Sequence, residues 1–419
     1  MSEIEKKTRA LGSSIEWNDW RWQLKNRVTS FEQLTNLIDL YPEEREIFEK
    51  QDFSFRVAIT LYYLSLIDES NPFDPIRLQA IPRIMETGVS DFDMKDPLNE
   101  DGDSPTLGLT HRYPDRALLL VTDQCAMYCR HCTRRRKAGE NDAPMPEEMV
   151  NKAIDYIQKK TEIRDVILSG GDPLTLSDER LDSILAKISA IDHVDIIRIG
   201  SRLPVVLPQR ITEDLIKVLK KYPPLWFNTH FNHPQEITYE AKTALAKLAD
   251  NGIVLGNQSV LLKRINDNVD VMKNLMHQLV KNRVRPYYIY QCDMSTGIEH
   301  FRTPISKGVE IMESLRGHTS GLCQPLFVVD APGGGGKIPV MPNYILSTAP
   351  NKVVLRNYEG TITTYTEPGF ITEQNNNYSG QCPQNKKSDE GIISLLRGDK
   401  LTIEPEQTKR KLRKKQLIN

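Results

Sequence analysis

Three cysteines, Cys125, Cys129 and Cys132, lie within the eight-residue segment CAMYCRHC of a 419-residue chain that has six cysteines. A structural zinc site takes four protein ligands and a disulfide takes two thiols, so the C-x3-C-x2-C spacing matches neither. A four-iron cluster held by three thiolates keeps one iron open to a ligand from outside the protein. The spacing therefore predicts an iron–sulfur cluster with one open iron, and zinc-binding or incidental cysteines are the alternative.

A second candidate for chemistry is Lys337, which follows four glycines in the segment DAPGGGGKIP. A phosphate-binding loop of the GxxxxGK[ST] type needs Ser or Thr after the lysine, but Ile338 follows here. A lysine on a flexible backbone can form and release an imine, as a pyridoxal phosphate enzyme requires. A solvated loop lysine is the alternative.

Six short apolar runs alternate with helix-like segments from about residue 115 onward. The runs are ALLLVT (117–122), RDVILSG (164–170), DIIRIGS (195–201), LWFNTHF (225–231), GIVLGNQS (252–259) and RPYYIYQ (285–291). Strand–helix repeats with strands buried on both faces predict a parallel α/β fold, a complete or partial barrel. Since ALLLVT ends just before Cys125, the cysteines fall at the carboxyl end of a strand, where barrel active sites lie.

The flanking segments have different patterns. Segments such as WNDWRWQLKNRV carry apolar residues at helical spacing and predict a helical region over residues 1–110. The barrel is predicted over 111–330, and the lysine loop with a small α+β extension over 331–419. The basic tail KRKLRKKQLIN is interpreted as a solvated helix face.

The overall charge excludes some classes of partner. A formal net charge of -1, from 55 basic and 56 acidic residues, provides no field that would attract nucleic acid or an anionic membrane. The start MSEIEKKTRALG has no apolar stretch of signal-peptide length, and no run of about 18 apolar residues follows. We therefore expect a cytoplasmic protein, in whose reducing surroundings clustered cysteines bind metal or act in catalysis.

The cysteine segment CAMYCRHC resembles that of the radical S-adenosylmethionine (SAM) superfamily. The resemblance implies a [4Fe-4S] cluster on which SAM binds and is split to a 5′-deoxyadenosyl radical, and a partial (β/α)6 barrel of the TIM type. The segment SGGDP, Ser169, Gly170, Gly171 and Asp172 with the proline, resembles the superfamily's glycine-rich segment that contacts the amino group of SAM. Alone, such a segment is more often an ordinary turn.

Several segments together resemble the lysine 2,3-aminomutase family. They are CAMYCRHCTRRR, THRYPDR, SGGDP, YQCDMSTGIEHFRTP and VVDAPGGGGKIPVMPNY, and the similarity runs from WNDWRWQ to about residue 365. The resemblance implies that the three cysteines hold the cluster and that Lys337 carries pyridoxal phosphate. It also implies that Arg134 binds the α-carboxylate of lysine and that Asp293 and Asp330 bind its distal ammonium.

The chemistry of these residues agrees with the implied roles. Arginine presents a planar fork of donors to a carboxylate, and two carboxylates in one pocket attract an alkylammonium group but repel a glutamate side chain. Taken alone, Arg134 would be interpreted as a surface residue, and each aspartate as a cap or turn residue. Arg112, Tyr113, His230 and Gln258 are further cofactor-pocket candidates, and simple local hydrogen bonding is the alternative for the last two.

The implied reaction moves the amino group of L-lysine from C2 to C3 and gives L-β-lysine. It requires an electron donor such as ferredoxin or flavodoxin, and a homo-oligomer is expected. Alternatives are a glutamate 2,3-aminomutase, the relative that makes β-lysine for elongation factor P, and a non-enzymatic iron–sulfur or zinc-binding module. The stretch QNNNYSGQCPQNKK retains only Cys382 where relatives have a zinc-binding cysteine cluster, so no structural zinc is expected. Cys292 and Cys323 are expected to be buried.

Overall fold

The computed structural model describes residues 2–50, 55–88, 90–349, 352–368, 391–397, 399 and 402–403. The described residues form two compact units, one holding those up to 315 and from 319 to 340, the other holding 316–318 and those from 341 onward. The segment 375–390, which includes Cys382, and the basic tail 409–419 lie outside the described residues. The expectation of no structural zinc therefore stays a prediction.

The first hundred residues are mainly helical, as predicted. Their α-helices are α1 (Glu3–Arg9), α2 (Ser14–Asn18), α3 (Trp20–Lys25), α4 (Phe31–Leu37), α5 (Pro42–Lys50), α6 (Leu61–Leu64) and α7 (Pro75–Ala80). Several begin where a side-chain oxygen accepts a hydrogen bond from a free backbone N–H of the first turn, as Thr60 does for α6 and Asp74 for α7. The apolar spacing buries Trp17 and Trp20.

A nine-stranded sheet follows, with its strands in sequence order. They are β1 (Leu109–Tyr113), β2 (Arg116–Thr122), β3 (Asp165–Gly170), β4 (Ile196–Gly200), β5 (Leu225–Thr229), β6 (Val254–Leu261), β7 (Arg285–Gln291), β8 (Leu326–Ala331) and β9 (Gly336–Pro339). Strands β2 to β8 are parallel, whereas β1 and β9 pair antiparallel at the two edges. The partial barrel is confirmed, with one more parallel strand than the six runs counted in the sequence. The alternation fails at β8 because a hairpin strand, not a helix, follows it.

The helices between the strands pack on the outside of the sheet. They are α8 (Glu147–Lys159), α9 (Asp178–Ser189), α10 (Leu203–Val206), α11 (Glu213–Leu219), α12 (Tyr239–Asp250), α13 (Val269–Lys281) and α14 (Ile305–Leu315). In α9 the buried residues are Leu181, Ile184, Leu185 and Ile188, the spacing of one helical face. Burial of each such side chain stabilises the fold by about 1.5–3 kcal/mol, an upper bound that ignores structure in the unfolded chain.

The expectation that the strands are buried on both faces is wrong for β2, β3 and β4. Buried and partly exposed residues alternate along each of them. Leu118, Ile167 and Arg198 are aligned by the strand register and line a cavity, whereas residues such as Leu168 face the helices and are buried. The inner face is only partly covered because the barrel interior is not filled by side chains.

The second unit is a small antiparallel sheet with one helix in its described part. The sheet contains β10 (Ile345–Ala349), β11 (Lys352–Arg356), β12 (Ile362–Thr366) and β13 (Thr402–Ile403), and the helix is α15 (Ile392–Arg397). This agrees with the predicted α+β extension. In the part of the chain that the structure describes, every helix is too short or too polar to cross a membrane. Cys292 and Cys323 are buried, as expected.

Candidate active site

The carboxyl ends of the parallel strands surround a cavity of about 410 Å³. All the residues that the sequence suggested for chemistry or binding line it. They are Arg112, Tyr113, Cys125, Cys129, Cys132, Arg134, Ser169, Gly170, Gly171, Asp172, His230, Gln258, Asp293, Asp330 and Lys337. They meet there because most of them end a strand or directly follow one, and parallel strands bring those ends to one side of the sheet.

The loop that carries the three cysteines is held by the N-terminal helical region. The backbone N–H of Tyr128 donates to the carbonyl of Ala58 at 3.1 Å, and that of Arg130 donates to the carbonyl of Gln79 at 2.9 Å. The Tyr128 ring is buried, and its hydroxyl donates to Asp142 at 2.5 Å. Tyr128 therefore anchors the loop through both its backbone and its side chain.

The buried carboxylate of Glu86, in the N-terminal region, binds residues that precede and follow Cys132. Arg130 donates its Nε to Glu86 at 2.8 Å, and Arg135 donates an Nη to the same carboxylate at 2.8 Å. Burial alone would raise the pKa of Glu86, but the two guanidinium groups hold this pKa below its usual value. Glu86 is thus ionised at neutral pH and fixes the position of Cys132 through its two neighbours.

The glycines of SGGDP allow the end of β3 to press on the start of the cysteine loop. A Cβ at Gly170 would lie 2.1 Å from the carbonyl oxygen of Thr122, and one at Gly171 would lie 2.3 Å from that of Gln124. In the same contact, the backbone N–H of Gly171 donates to the Thr122 carbonyl at 2.7 Å. This close approach requires glycine, because any larger residue would displace the backbone that leads into Cys125.

The three thiols meet the requirements of a cluster with thiolate ligands. Burial raises the pKa of Cys125 well above its usual value and that of Cys132 to about 11, with the neighbouring cysteines adding to both shifts. Such thiols become thiolates when a metal supplies the compensating positive charge. Among the residues that the structure describes, no three His, Cys, Asp or Glu side chains are grouped as ligands of one ion. Three thiols on one loop that line one cavity match the number of thiolate ligands of an iron–sulfur cluster with one open iron.

Lys337 lies on a strand, not on the flexible loop expected from its glycines. The residue is in β9, where it pairs with Asp330 of β8, and the glycine run forms the turn of this hairpin. The Lys337 backbone N–H donates to the Tyr113 hydroxyl at 2.9 Å, and its Nζ donates to Asp330 Oδ1 at 3.1 Å. Gly336 has φ of 81°, and a Cβ there would lie 3.0 Å from the same hydroxyl. The amine therefore projects into the cavity from a fixed backbone.

Two acids, Asp293 and Asp330, line the cavity near this amine. Thr133 donates its hydroxyl to Asp293 at 2.7 Å. The pKa of Asp293 is raised to about 6, mainly by burial; the Thr133 hydrogen bond opposes this rise and the charge of Asp330 contributes to it. A cation placed between the two acids would relieve their repulsion.

Arg134 is oriented by a residue that sequence reasoning missed. Its Nε donates to Glu100 at 2.8 Å, and its Nη1 donates to the Ser169 hydroxyl at 3.1 Å. Glu100 is 5% exposed and lines the cavity. Glu100 lies before the first strand of the barrel, in a segment without helical or strand periodicity. Nothing in the sequence around it therefore indicates this contact.

The carboxylate of Asp172 is occupied by protein donors. Ser201 Oγ donates to one oxygen at 2.7 Å, and the backbone N–H of Arg202 donates to the other at 2.7 Å. Burial raises the pKa of Asp172 to about 6, and these hydrogen bonds oppose the rise. The assignment of Asp172 to cofactor binding stays a prediction, and its contacts indicate that it joins the ends of β3 and β4.

His230 directly follows β5, and Gln258 lies within the neighbouring strand β6, three residues before its end; both line the cavity. Burial lowers the pKa of His230 to about 4, with the charge of Arg202 adding to the shift and a backbone hydrogen bond to Gln258 opposing it. His230 is therefore neutral at physiological pH and can accept or donate a hydrogen bond in the cavity. Arg202 itself was not predicted, although it follows β4 as the other site residues follow their strands.

Two arginines lie at the end of the cavity beside Tyr113. Arg112 donates its Nε to Asp103 at 2.7 Å and an Nη to the Leu98 carbonyl. The guanidinium carbon of Arg116 lies 4.1 Å from the centroid of the Tyr113 ring. Both arginines line the cavity on the side of the Lys337 strand. A phosphate group could be neutralised here.

Comparison with known proteins groups this chain with one set of relatives. Residues 119–275 match the family described as the radical SAM superfamily, and residues 312–419 match the family described as lysine-2,3-aminomutase. An L-lysine 2,3-aminomutase of Clostridium subterminale is 60% identical over 94% of this chain and 94% of its own length. One of Fusobacterium nucleatum is 59% identical over 96% of this chain and 94% of its own length. A glutamate 2,3-aminomutase of Clostridioides difficile is 47% identical over 84% of this chain and 83% of its own length.

Proposed function

The chain belongs to the L-lysine 2,3-aminomutase family of the radical SAM superfamily, and we propose that it interconverts L-lysine and L-β-lysine by radical migration of the amino group. The observation that carries the proposal is the arrangement of one cavity. Three half-buried thiols, a lysine amine, an arginine and a pair of acids all line it. Each group answers one requirement of this reaction, and together they leave room for a small amino acid.

Cys125, Cys129 and Cys132 are proposed to hold a [4Fe-4S] cluster, and the SGGDP segment, His230 and Gln258 to line the SAM site. When bound, the reduced cluster and SAM supply a 5′-deoxyadenosyl radical that abstracts hydrogen from carbon. The cysteine loop is held between the end of β3 and the N-terminal region. Gly171 allows the close contact on the first side, and Glu86 accepts hydrogen bonds from the loop on the second. Its residues thereby fix where the radical is generated relative to the substrate site.

Lys337 is proposed to bind pyridoxal phosphate, with Arg112 and Arg116 neutralising the phosphate. When bound, this cofactor supplies a π system through which the amino nitrogen shifts between C2 and C3. The Tyr113 hydroxyl fixes the Lys337 backbone, and Asp330 accepts a hydrogen bond from the Lys337 amine at 3.1 Å. Asp330 therefore holds the amine in place whenever the cofactor is not attached to it.

Arg134 and the two acids are proposed to set the direction in which lysine binds. Arg134 presents a guanidinium edge to the α-carboxylate while Glu100 holds its Nε. Asp293 and Asp330 receive the distal ammonium group, which relieves the repulsion between them. Fixing both ends of an extended lysine holds C2 and C3, which lie next to the carboxylate end, in one defined position. The reaction then proceeds between groups that are already aligned.

Glutamate is the second candidate substrate because a glutamate 2,3-aminomutase is also a relative. The acid pair argues against it, since Asp293 and Asp330 would face a second carboxylate in place of an ammonium group. We expect an electron donor such as ferredoxin or flavodoxin to reduce the cluster, and a homo-oligomer stays part of the proposal.

The function is tested by anaerobic reconstitution with iron and sulfide, followed by incubation with SAM, pyridoxal phosphate, a reductant and either amino acid. We expect β-lysine from lysine only when SAM is present, and no β-glutamate from glutamate. The Cys129→Ala variant should keep the fold, measured by circular dichroism, and form no β-lysine. Formation of β-lysine by this variant, or of β-glutamate by the unaltered enzyme at a comparable rate, would contradict the proposal.

A further inference from the structure

Arg202, the second residue after β4, contacts one cysteine of the triad Cys125, Cys129 and Cys132. Its Nη1 lies 2.7 Å from the Cys129 sulfur, toward which it donates. Its Nη2 donates to Glu236 Oε1 and to Gln79 Oε1, each at 2.7 Å. Arg202 is 8% exposed, so this charge is held in a largely dry site. One arm of the guanidinium fork therefore points at the triad, and the other is fixed by protein acceptors.

Glu236 keeps the second arm in place. It is fully buried, and its Oε1 also accepts the Tyr63 hydroxyl at 2.7 Å, while its Oε2 accepts the backbone N–H of Asn232 at 2.6 Å. A carboxylate with this many donors cannot move without breaking several hydrogen bonds at once. The guanidinium that it pairs with is therefore rigidly oriented toward Cys129.

The other polar groups of Arg202 are its backbone N–H and its Nε. Its backbone N–H donates to Asp172, which follows the glycines that press on the cysteine loop. Its Nε is buried and has no hydrogen-bond partner in the described part of the chain. Arg202 thus lies between the ends of β3 and β4 with its charge directed to the thiol, and it is not a surface arginine that happens to pass nearby.

We propose that Arg202 is a positioning residue that donates a charge-assisted hydrogen bond to the Cys129 thiolate and thereby raises the reduction potential of the cluster. The inference rests on the cluster assignment within the proposed function. Reduction adds one electron to the cluster and increases the negative charge on its sulfurs. Hydrogen bonds to these sulfurs stabilise the more negative state, and they are one of the means by which proteins set cluster potentials. A fixed cation at one ligand favours reduction without any contact to the substrate.

The test compares three variants after anaerobic reconstitution, without SAM, pyridoxal phosphate or lysine. Arg202→Gln removes the charge, and Arg202→Lys keeps a cation but loses the fork that spans Glu236 and Cys129. Arg210→Gln is the matched control, because Arg210 is also a buried arginine but donates to the carbonyls of Leu174 and Leu176 and pairs with Asp178. Iron content and the midpoint potential from a redox titration followed by electron paramagnetic resonance are measured for each.

We expect Arg202→Gln to bind iron as the unaltered protein does and to show a more negative midpoint potential. Arg202→Lys should show a smaller shift in the same direction, and Arg210→Gln none. If Arg202→Gln does not bind iron, Arg202→Lys provides the comparison. An unshifted potential in the Arg202 variants, or an equal shift in Arg210→Gln, overturns the proposal. Because no substrate is present, these results do not depend on which amino acid the enzyme converts.

Discussion

The Tyr113 hydroxyl accepts a hydrogen bond from the backbone N–H of Lys337 at 2.9 Å, and this contact joins the two edge strands of the sheet. In the strand order, β1 pairs only with β2, and β9 pairs only with β8. The Tyr113 side chain therefore links two strands that the backbone hydrogen bonds of the sheet do not join. The position of Lys337 therefore depends on the first strand as well as on its own hairpin.

Replacing Tyr113 by phenylalanine removes this link and should loosen the Lys337 strand. Loss of one buried hydrogen bond costs about 1 kcal/mol, and we expect weaker retention of pyridoxal phosphate with the iron content unchanged. The measurement is the cofactor absorbance that remains after gel filtration. Tyr239→Phe, at a side chain that is 79% exposed, is the matched control. Equal retention in the two variants would contradict the prediction.

Lysine turnover should depend on pH through Asp293. Burial raises the pKa of this acid to about 6, so below that pH it is protonated and attracts the substrate ammonium less strongly. We expect kcat/KM for lysine to rise as the pH rises through about 6, since this ratio reports the free enzyme. Asp293→Asn should lower kcat/KM by about 10- to 100-fold and remove the rise. A rise that persists in Asp293→Asn would assign it to another group.

Removal of the Glu100 side chain should impair substrate binding more than chemistry. Without its acceptor at 2.8 Å, Arg134 loses the contact that turns its guanidinium toward the cavity. We expect Glu100→Ala to raise the KM for lysine by about tenfold with a smaller change in kcat, because a hydrogen bond to a charged group contributes about 1.5–3 kcal/mol. Glu148→Gln, at an exposed pair with Lys152, serves as the control. A fall in KM would mean that Glu100 competes with the substrate for Arg134.

A methyl group at Gly171 should disturb the cysteine loop. The added Cβ would lie 2.3 Å from the Gln124 carbonyl oxygen, so the backbone before Cys125 must move. We expect Gly171→Ala to bind less iron after reconstitution while its helix content, measured by circular dichroism, stays near that of the unaltered protein. At Gly321 a Cβ meets no atom within 4 Å, so Gly321→Ala is the control. Full iron binding by Gly171→Ala would show that the loop tolerates the shift.

The sequence predicted the site better than it predicted what supports the site. The barrel and its strand ends follow from apolar runs, and a motif placed at a strand end is brought to the cavity by topology alone, as for Asp293 after β7. Glu100 and Arg202 were missed because their importance lies in partners 34 and 73 positions away in sequence. Lys337 was assigned to a loop because the glycines before it suggested a flexible backbone. In the structure these glycines form the turn between two paired strands, and Lys337 lies on the second of them.

The cysteine loop depends on Ala58, Gln79 and Glu86, and also on Arg27, whose guanidinium donates to the Cys125 carbonyl; these residues define the shortest fragment that can be expected to carry iron. A truncated protein that starts at the first barrel strand would keep all three thiols but lose the backbone acceptors and the buried acid that shape the loop. A shortened version of this enzyme should therefore begin before residue 27. Grafting the eight-residue cysteine segment alone onto another barrel would transfer the ligands without their geometry.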